Sequence, residues 1–215
     1  MPREPIAQPS ERQKRKMLVV SLATGCCLGP QSDELGREAI EACRLGDREA
    51  LGGFVRCYER RVWAYLSRTL GRTYPIEDLA QEVFLRAYPA LARFEFEGSA
   101  RLSTWLLSIA HRVAVDARRR DRGRFDVLAP KQYVSLEPSP EARLHQDRLI
   151  QAVARATALL DPKQREVFVL ATFHELSTAE IAEVVGTFEA TVKTRLFRAR
   201  ARLRLALGAH FEVAP

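Results

Sequence analysis

The sequence lacks the residue patterns that identify most metal proteins and enzymes. Its four cysteines include no Cys-x-x-Cys pair, and neither they nor the four scattered histidines have the spacing of metal ligands. There is no glycine-rich phosphate-binding loop, and no Ser/His/Asp or Cys/His set for nucleophilic catalysis. We therefore expect no enzymatic activity, no metal, no cofactor and no small-molecule substrate. Reduced thiols in a cytoplasmic protein are the simplest account of the cysteines.

Acidic residues are in the minority, and the excess positive charge is concentrated in two segments. The 215 residues carry a net charge of +7 with a pI near 9.6, which indicates a polyanionic partner, either nucleic acid or a membrane surface. Residues 101–125 contain seven arginines and two aspartates, a balance of +5. Residues 189–204 contain six basic residues and one acid, again +5. Two separate basic elements predict two contacts with the polyanion.

The C-terminal segment 176–207 has the pattern of a helix-turn-helix. Ser177 followed by Glu180 is a capping-box signature, so a short helix begins here and stops at Gly186. Its apolar face is predicted to consist of Ile181, Ala182 and Val185. Thr187 can cap a second helix, whose apolar positions have helical spacing: Val192, Leu196, Ala199, Leu203 and Leu207. Basic residues stand between them, as expected of a helix that enters the DNA major groove. The alternative interpretation of this segment is a basic, solvated helix after a loop.

The first 33 residues are expected to be a tail outside the folded domains. A basic triplet, Lys14 to Lys16, precedes a short apolar run, an arrangement similar to a secretory signal peptide, and Cys26 would suit lipidation. The run is too short to span a bilayer as a helix, and export conflicts with a DNA-binding C-terminus. A dispensable tail, with Met17 as an alternative start, is the favoured interpretation.

From residue 34 onward the patterns predict helices only. Residues 34–45 are predicted to form a short amphipathic helix, and Asp47 can cap the next one, whose apolar stripe runs towards Gly71. Pro75 stands where a third helix begins. One face of that helix carries Leu79, Val83 and Ala87, and another carries Asp78, Glu82 and Arg86. The fourth helix is predicted to bury Leu102, Leu106, Ile109, Val113 and Ala117.

A second face of the fourth helix combines an aromatic ring, a hydroxyl and two guanidiniums. Its residues are Trp105, Ser108, Arg112 and Arg119. Such a stripe suits stacking on bases and binding of phosphates. Equally, Trp105 can be a core residue, and the arginines can simply end the helix, where they interact favourably with its negative dipole end.

Residues 121–145 contain three prolines and no sustained periodicity, so they are predicted to link two domains. The helical pattern resumes near residue 141, continues to residue 160, and a further helix starts at Asp161-Pro162. The predicted fold class is all-α: two small helical domains joined by an extended linker, the C-terminal one a helix-turn-helix.

Four segments, in this order, resemble bacterial RNA polymerase sigma factors. They are DLAQEVFLRAY (78–88), LSTWLLSIAHRVAVDARRR (102–120), LDPKQREVFVL (160–170) and EIAEVVGTFEATVKTRLFRARARL (180–203). The similarity is to the small extracytoplasmic-function (ECF) class, which has only the second and fourth sigma regions. It covers roughly residues 35–207 and implies a region-two domain over 34–122, a linker over 123–145 and a region-four domain over 146–212, after a tail of 1–33.

The resemblance also implies a role for each element. In such proteins the third helix docks on the clamp coiled coil of core RNA polymerase, which implies core-binding roles for Asp78, Gln81, Glu82 and Phe84. The next loop and the fourth helix open the duplex at the −10 element and capture a flipped base of the melted non-template strand, which implies roles for Phe94, Phe96, Trp105, Ser108, Arg112, Arg118, Arg119 and Arg120. The helix-turn-helix reads the duplex −35 element, which implies contacts by Lys193, Thr194, Arg195, Phe197, Arg198 and Arg200.

The chain departs from the family pattern at two places. Arg112 stands where asparagine is common, and an arginine cannot copy the paired donor and acceptor of an amide. Ala190 replaces the glycine of the usual turn and follows Glu189. An acid here stabilises the helix N-terminus but lies close to where a phosphate would bind. A contact with a cytosine N4 amino group would reconcile the two effects.

The implied function is that of a cytoplasmic sigma factor that binds core RNA polymerase and directs promoter-specific initiation. Its expected partners are core polymerase, promoter DNA and an anti-sigma factor, because sigma factors of this class are commonly held inactive by one. The alternative is an autonomous helix-turn-helix regulator with an N-terminal sensing or dimerisation domain, which predicts a ligand pocket or dimer seam and palindromic half-sites. The acidic face at Asp78 and Glu82, beside an aromatic-bearing basic helix, favours the sigma factor.

Overall fold

The structure, a computed structural model, describes residues 34–71, 73–94, 101–121, 153 and 155–211. Over these ranges the predicted all-α fold is confirmed: the residues form helices and turns and no strand. The first domain contains α1 (Arg37–Arg44), α2 (Arg48–Leu70), α3 (Ile76–Leu91) and α4 (Leu102–Asp121). The second contains α5 (Pro162–Phe173), α6 (Thr178–Val185) and α7 (Glu189–Phe211), preceded by a helical segment at 155–158. The predicted tail, linker and Phe96 lie outside the described ranges.

The first domain is organised around the long helix α2. The Asp47 side chain accepts hydrogen bonds from the backbone amides of Glu49 (2.8 Å) and Ala50 (2.9 Å), which confirms the predicted cap. The helix ends at Gly71, whose φ of +84° suits a residue without a Cβ. Helices α1, α3 and α4 all pack against α2 and enclose a core that includes Tyr58, Val62, Tyr65, Leu79, Val83, Leu106 and Val113.

The first helix begins at Arg37 rather than at residue 34, because Gly36 has an extended backbone (φ −65°, ψ 162°) and takes the N-cap position. Glu34 lies before the helix and has other partners. Its carboxylate accepts a hydrogen bond from the Tyr58 hydroxyl (2.9 Å) and from the Ser103 backbone amide (3.3 Å). Glu34 therefore lies at the N-terminus of α4, where a negative charge is favoured and amides need acceptors.

In the second domain the predicted capping box is confirmed at the start of α6. The Glu180 amide donates to the Ser177 hydroxyl (3.2 Å), and the Ser177 amide donates to the Glu180 carboxylate (2.8 Å). Gly186 ends α6 with a left-handed φ of +63°. The residue buried beside Ile181 is Val184 rather than Val185, and the next helix begins at Glu189 rather than directly after Thr187.

Thr187 is not the N-cap of α7, because the Phe188 carbonyl accepts the first backbone bonds of that helix, from the amides of Thr191 and Val192. The Thr187 backbone amide closes the turn after α6 instead. It donates to the carbonyl of Ala182 (3.0 Å), as in the reverse turn that commonly follows a helix ending at glycine. The apolar periodicity of α7 is confirmed nonetheless. Val192, Leu196, Ala199 and Leu203 are buried, and Leu207 is half-buried.

The two domains are in contact. Helix α2 packs against α5, and α4 packs against α6, so that buried residues of both domains form one continuous apolar cluster. A smaller cluster of Ala156, Leu160, Ala199 and Leu203 lies between the segment before α5 and the middle of α7.

Candidate nucleic-acid interface

The outer face of α7 is the basic, aromatic surface that the helix-turn-helix pattern predicts. Because the apolar residues turn inward, the opposite positions remain exposed: Lys193, Thr194, Phe197, Arg198 and Arg200. Arg195 is half-buried. The Phe197 ring is 74% exposed, and no described neighbour covers most of it. A cationic helix with an exposed ring can bind phosphates and place an apolar surface against a thymine methyl group.

Two side chains of this set already have partners within the helix-turn-helix. Glu189 Oε1 accepts a hydrogen bond from the Thr178 hydroxyl (2.6 Å) and pairs with Lys193 Nζ (2.8 Å). Hydrogen bonds from Lys193 and Thr178 lower the pKa of Glu189, so the acid stays ionised. The Thr194 hydroxyl donates to the Ala190 carbonyl (2.9 Å), which leaves its methyl group and lone pairs for an outside partner.

This geometry explains how the chain accommodates Glu189 and Ala190. Both residues belong to α7, and Ala190 has no positive φ, so a glycine is not needed there. Sequence reasoning missed Thr178, which joins the first turn of α6 to the first turn of α7 through Glu189. The only sequence signal for this contact is that Thr178 stands next to the predicted cap of α6. Eleven positions separate it from Glu189.

On α4 the predicted single-strand face is built around a supported tryptophan. Trp105 is half-buried and packs on Phe94 with ring centroids 5.2 Å apart. Phe94 itself is only 6% exposed, so in this conformation it supports the tryptophan rather than offering its own ring. The Ser108 hydroxyl donates to the Trp105 carbonyl (2.7 Å). The two interpretations of Trp105 are thus not exclusive, because one part of the ring packs and the rest is accessible.

The arginines of α4 have different surroundings. Arg112 and Arg119 are exposed on its surface. Arg120 is exposed and donates to Glu82 of α3 (3.2 Å). Arg118 is directed at the second domain instead, where it pairs with Glu166 of α5. The structure therefore brings Arg112 and Arg119 to the surface and engages Arg118 and Arg120 with acids of the same chain.

Helix α3 carries the predicted protein-binding face. Asp78 and Gln81 are exposed, and Phe84 is half-buried with its ring edge against Phe54 (centroids 5.8 Å apart). Glu82 pairs with Arg86, and Arg86 also donates to Asp116 of α4 (3.0 Å). This network ties α3 to α4. It raises the pKa of Arg86, chiefly through the bond to Asp116.

Apolar surface adjoins this acidic face. A groove between α2 and α3 is lined by Val55, Trp63, Ala64, Ala80, Gln81 and Phe84, with charged side chains around it. Leu85, close to Glu82 on α3, is 75% exposed. Sequence analysis did not identify it as a site residue, because its position showed only that it lies outside the buried stripe of the helix. Exposed apolar surface next to charges is typical of a protein interface.

The described ranges show neither a metal-binding cluster nor a membrane-spanning helix. They contain no group of three or more His, Cys, Asp and Glu side chains placed to hold a metal ion. None of their helices is both long and apolar enough to cross a bilayer. The thiols of Cys43 and Cys57 are unbridged.

Comparison with known proteins matches both domains. Residues 54–124 match the family model of sigma-70 region 2, and residues 150–203 match that of sigma-70 region 4. The ECF RNA polymerase sigma factor SigW of Bacillus subtilis (strain 168) is 30% identical over 181 residues, which cover 80% of this chain and 96% of SigW.

Solved structures have a similar fold. CnrH, in complex with the cytosolic domain of CnrY, aligns with a TM-score of 0.56 and 26% identity, over 80% of this chain and 97% of the other. The sigma factor RpoE, in complex with the anti-sigma factor NepR from Bartonella quintana, aligns with a TM-score of 0.56 and 24% identity, over 73% and 96% of the two chains.

Proposed function

Because the chain belongs to the ECF class of bacterial RNA polymerase sigma factors, we propose that its two helical domains divide promoter recognition and polymerase binding between them. As a sigma factor of this class, the protein directs promoter-specific transcription by core RNA polymerase. The observation that carries the proposal is the order of the matches: region 2 falls on α2 to α4 and region 4 on α5 to α7, each with its own basic helix.

Region two, proposed to span residues 34–122, binds core polymerase and the −10 element. Exposed Asp78 and Gln81, the Glu82 carboxylate and the Phe84 edge form the proposed core-binding face, together with Leu85. On α4, the accessible part of Trp105 stacks on a base of the melted non-template strand, and the arginines at the end of the helix bind its phosphates. The charge of the helix and the support of Trp105 by Phe94 favour this role.

Region four, proposed to span residues 146–212, reads the −35 element. The support is the exposed face of α7, where Thr194, Phe197 and Arg198 project beside Lys193 and Arg200. An arginine there can donate two hydrogen bonds to a guanine edge, which is the commonest specific contact in the major groove. Arg195 and Arg200 are the proposed phosphate partners, with residues 123–145 as the connection between the domains.

The proposed cellular setting follows from this role. The protein acts in the cytoplasm. Like other members of the sigma family, it is a DNA-binding regulator and has no catalytic activity of its own. We further propose an anti-sigma factor as a partner, because the similar structure of RpoE is a complex with one.

Run-off transcription tests the proposal. We expect promoter-specific transcripts from a library of candidate promoters only when core polymerase and this protein are combined, and little stable binding of duplex promoter by the protein alone. Absence of a transcript with core polymerase, together with a clear footprint by the isolated protein, would refute the sigma factor role. That outcome would favour the autonomous helix-turn-helix regulator.

A further inference from the structure

Arg44, the last residue of α1, binds the turn that follows α3. Its Nε donates a hydrogen bond to the Leu91 carbonyl (3.1 Å), and its Nη2 donates to the Phe94 carbonyl. The Phe94 amide donates to the same Leu91 carbonyl (3.1 Å), so the guanidinium is bound to both ends of one closed turn. Carbonyls at the end of a helix lack partners within the helix, and a cation is favoured there. Arg44 therefore stabilises the conformation of this turn from outside α3.

The turn carries the ring that supports Trp105. Phe94 is buried, and the centroid of its ring lies 5.2 Å from that of Trp105. The backbone of Phe94 is thus bound by Arg44 while its side chain packs on the tryptophan. The orientation of Trp105 depends on Arg44 through a single intervening residue.

The start of α4, on which Trp105 stands, is bound by the same part of the chain. The Ser103 amide donates to the carboxylate of Glu34 (3.3 Å), just before α1. A cation at the carbonyl end of α3 and an anion at the amide end of α4 each match the sign of the helix dipole. The first helix and the residues that precede it therefore contact both elements that carry the Phe94–Trp105 ring pair.

The contacts of Arg44 depend on the shape of the guanidinium as well as on its charge. Nε and Nη2 donate to the two carbonyls of the turn, and Nη1 pairs with Glu41 one turn earlier in α1. The side chain is only 24% exposed. Lysine has a compact ammonium on a flexible stem and does not reproduce this planar set of donors. An Arg44→Lys variant therefore retains the charge at the helix end but binds the turn less rigidly.

We propose that Arg44 is a positioning residue for strand opening at the −10 element: it fixes the Phe94 turn and so keeps Trp105 in the orientation that receives an unpaired base. The proposal rests on the proposed function, since a fixed ring matters here only if a base stacks on it. A ring that is already ordered loses less conformational freedom when the base binds. Arg44 acts through Phe94 and needs no contact with DNA in this role.

The test uses holoenzymes assembled with the full chain and a promoter identified by run-off transcription. The variants are Arg44→Gln, Arg44→Lys, Trp105→Ala and the double variant of Arg44→Gln with Trp105→Ala. Arg48→Gln, at an exposed position at the start of α2, makes the same change in charge and is the matched control. Permanganate reactivity of unpaired thymines reports strand opening, fluorescence titration with core polymerase reports affinity, and circular dichroism verifies helix content.

We expect Arg44→Gln to reduce strand opening and run-off by roughly 5-fold to 150-fold, the range for loss of one base–aromatic stack, with the affinity for core polymerase unchanged. Arg44→Lys should give a smaller loss, and Arg48→Gln should behave as the wild type does. Once Trp105 is alanine, Arg44→Gln should cause no further loss, because both changes affect the same ring.

Two results overturn the proposal. The first is a further loss of strand opening when Arg44→Gln is added to Trp105→Ala, because Arg44 would then act by another route. The second is a fall in core affinity as large as the fall in run-off, which indicates general damage to the domain. If Arg44→Gln loses helix content, Arg44→Lys replaces it in the same comparison with Trp105→Ala.

The outcome is separable from the proposed function. Run-off transcription by the wild type tests the sigma factor role without reference to Arg44. Wild-type transcription with additive losses in the double variant overturns the positioning role and leaves the function intact. If Trp105→Ala opens the promoter as well as the wild type does, the base-stacking role of Trp105 fails, and the positioning role of Arg44 fails with it.

Discussion

Replacing Glu189 with glutamine is predicted to strengthen promoter binding and to make it more sensitive to salt. Glu189 holds the Lys193 ammonium at 2.8 Å, so that this cation is partly neutralised before any phosphate approaches. Glutamine can still accept from the Thr178 hydroxyl, so the link between α6 and α7 is preserved. The change therefore releases Lys193 without removing the contact that places the helix.

The magnitude follows from counterion release. One additional phosphate contact changes the slope of log K against log salt by about −0.9. Between 50 mM and 200 mM salt, the Glu189→Gln variant should therefore lose roughly 3.5-fold more affinity than the wild type. The variant should therefore exceed the wild type in promoter affinity by the largest factor at low salt.

The assay is a salt titration of holoenzyme bound to a duplex promoter fragment, at a temperature where the strands stay closed. Glu183→Gln on α6 makes the same change in net charge but has no lysine to release. Equal slopes for the two variants would refute the reasoning, since long-range charge alone would then account for the effect. If the Glu189→Gln variant instead loses the preference for cytosine at one promoter position, that result would support a direct contact between Glu189 and the base.

Further predictions concern promoter reading, polymerase binding, helix capping and pH. Arg198→Ala should cost about 1–3 kcal/mol of promoter discrimination, measured as relative run-off from promoter variants. Glu82→Lys should weaken core binding in a fluorescence titration, because it reverses a charge on the proposed docking face. Ser177→Ala should lower the free energy of unfolding by about 1 kcal/mol in a denaturant titration, because the cap of α6 is lost. Burial first, and then neighbouring arginines, lower the pKa of His111 to about 4 and of His174 to about 3. The unfolded chain therefore binds more protons below pH 6.5, and at pH 5.5 each histidine should reduce the free energy of unfolding by about 1.2 kcal/mol relative to pH 7.

Controls separate these effects from general damage. Arg204→Ala, at an exposed position further along α7, should weaken all promoters alike, and the same pattern for Arg198→Ala would remove its base-reading role. Glu38→Lys, exposed on α1, should bind core polymerase normally; a normal isotherm for Glu82→Lys would contradict the docking face. A Ser177→Asp variant should retain most of the stability. A His174→Leu variant should show about half the acid sensitivity, and an unchanged pH profile would contradict the assignment to His174.

Features that depend on neighbouring residues could be predicted from the sequence. The cap at Asp47, the capping box at Ser177 and the buried stripe of α7 each need only a side chain and backbone groups within four residues. The all-α class follows from the same local periodicities.

Contacts between distant segments could not be predicted in this way. Nothing in the pattern of α5 distinguishes Glu166 from a solvated acid, because its partner Arg118 lies 48 positions away. Thr187 was assigned as the cap of the following helix because threonine caps helices well, but the turn after Gly186 continues through Thr187, and Phe188 takes the cap position. One contact of the candidate site could not be predicted for the same reason. The pairing of Glu82 with Arg120 depends on how α3 and α4 pack.

The bonds made by Glu34 also protect the backbone just before α1 from proteases. The Leu35 amide donates to the Tyr58 hydroxyl (3.1 Å), while Glu34 itself is bound to Tyr58 and to the start of α4. A protease needs an extended, detached stretch of backbone, and these bonds hold the chain against two helices just before α1 begins. Cleavage of the native protein within 34–36 should therefore require unfolding of the first domain.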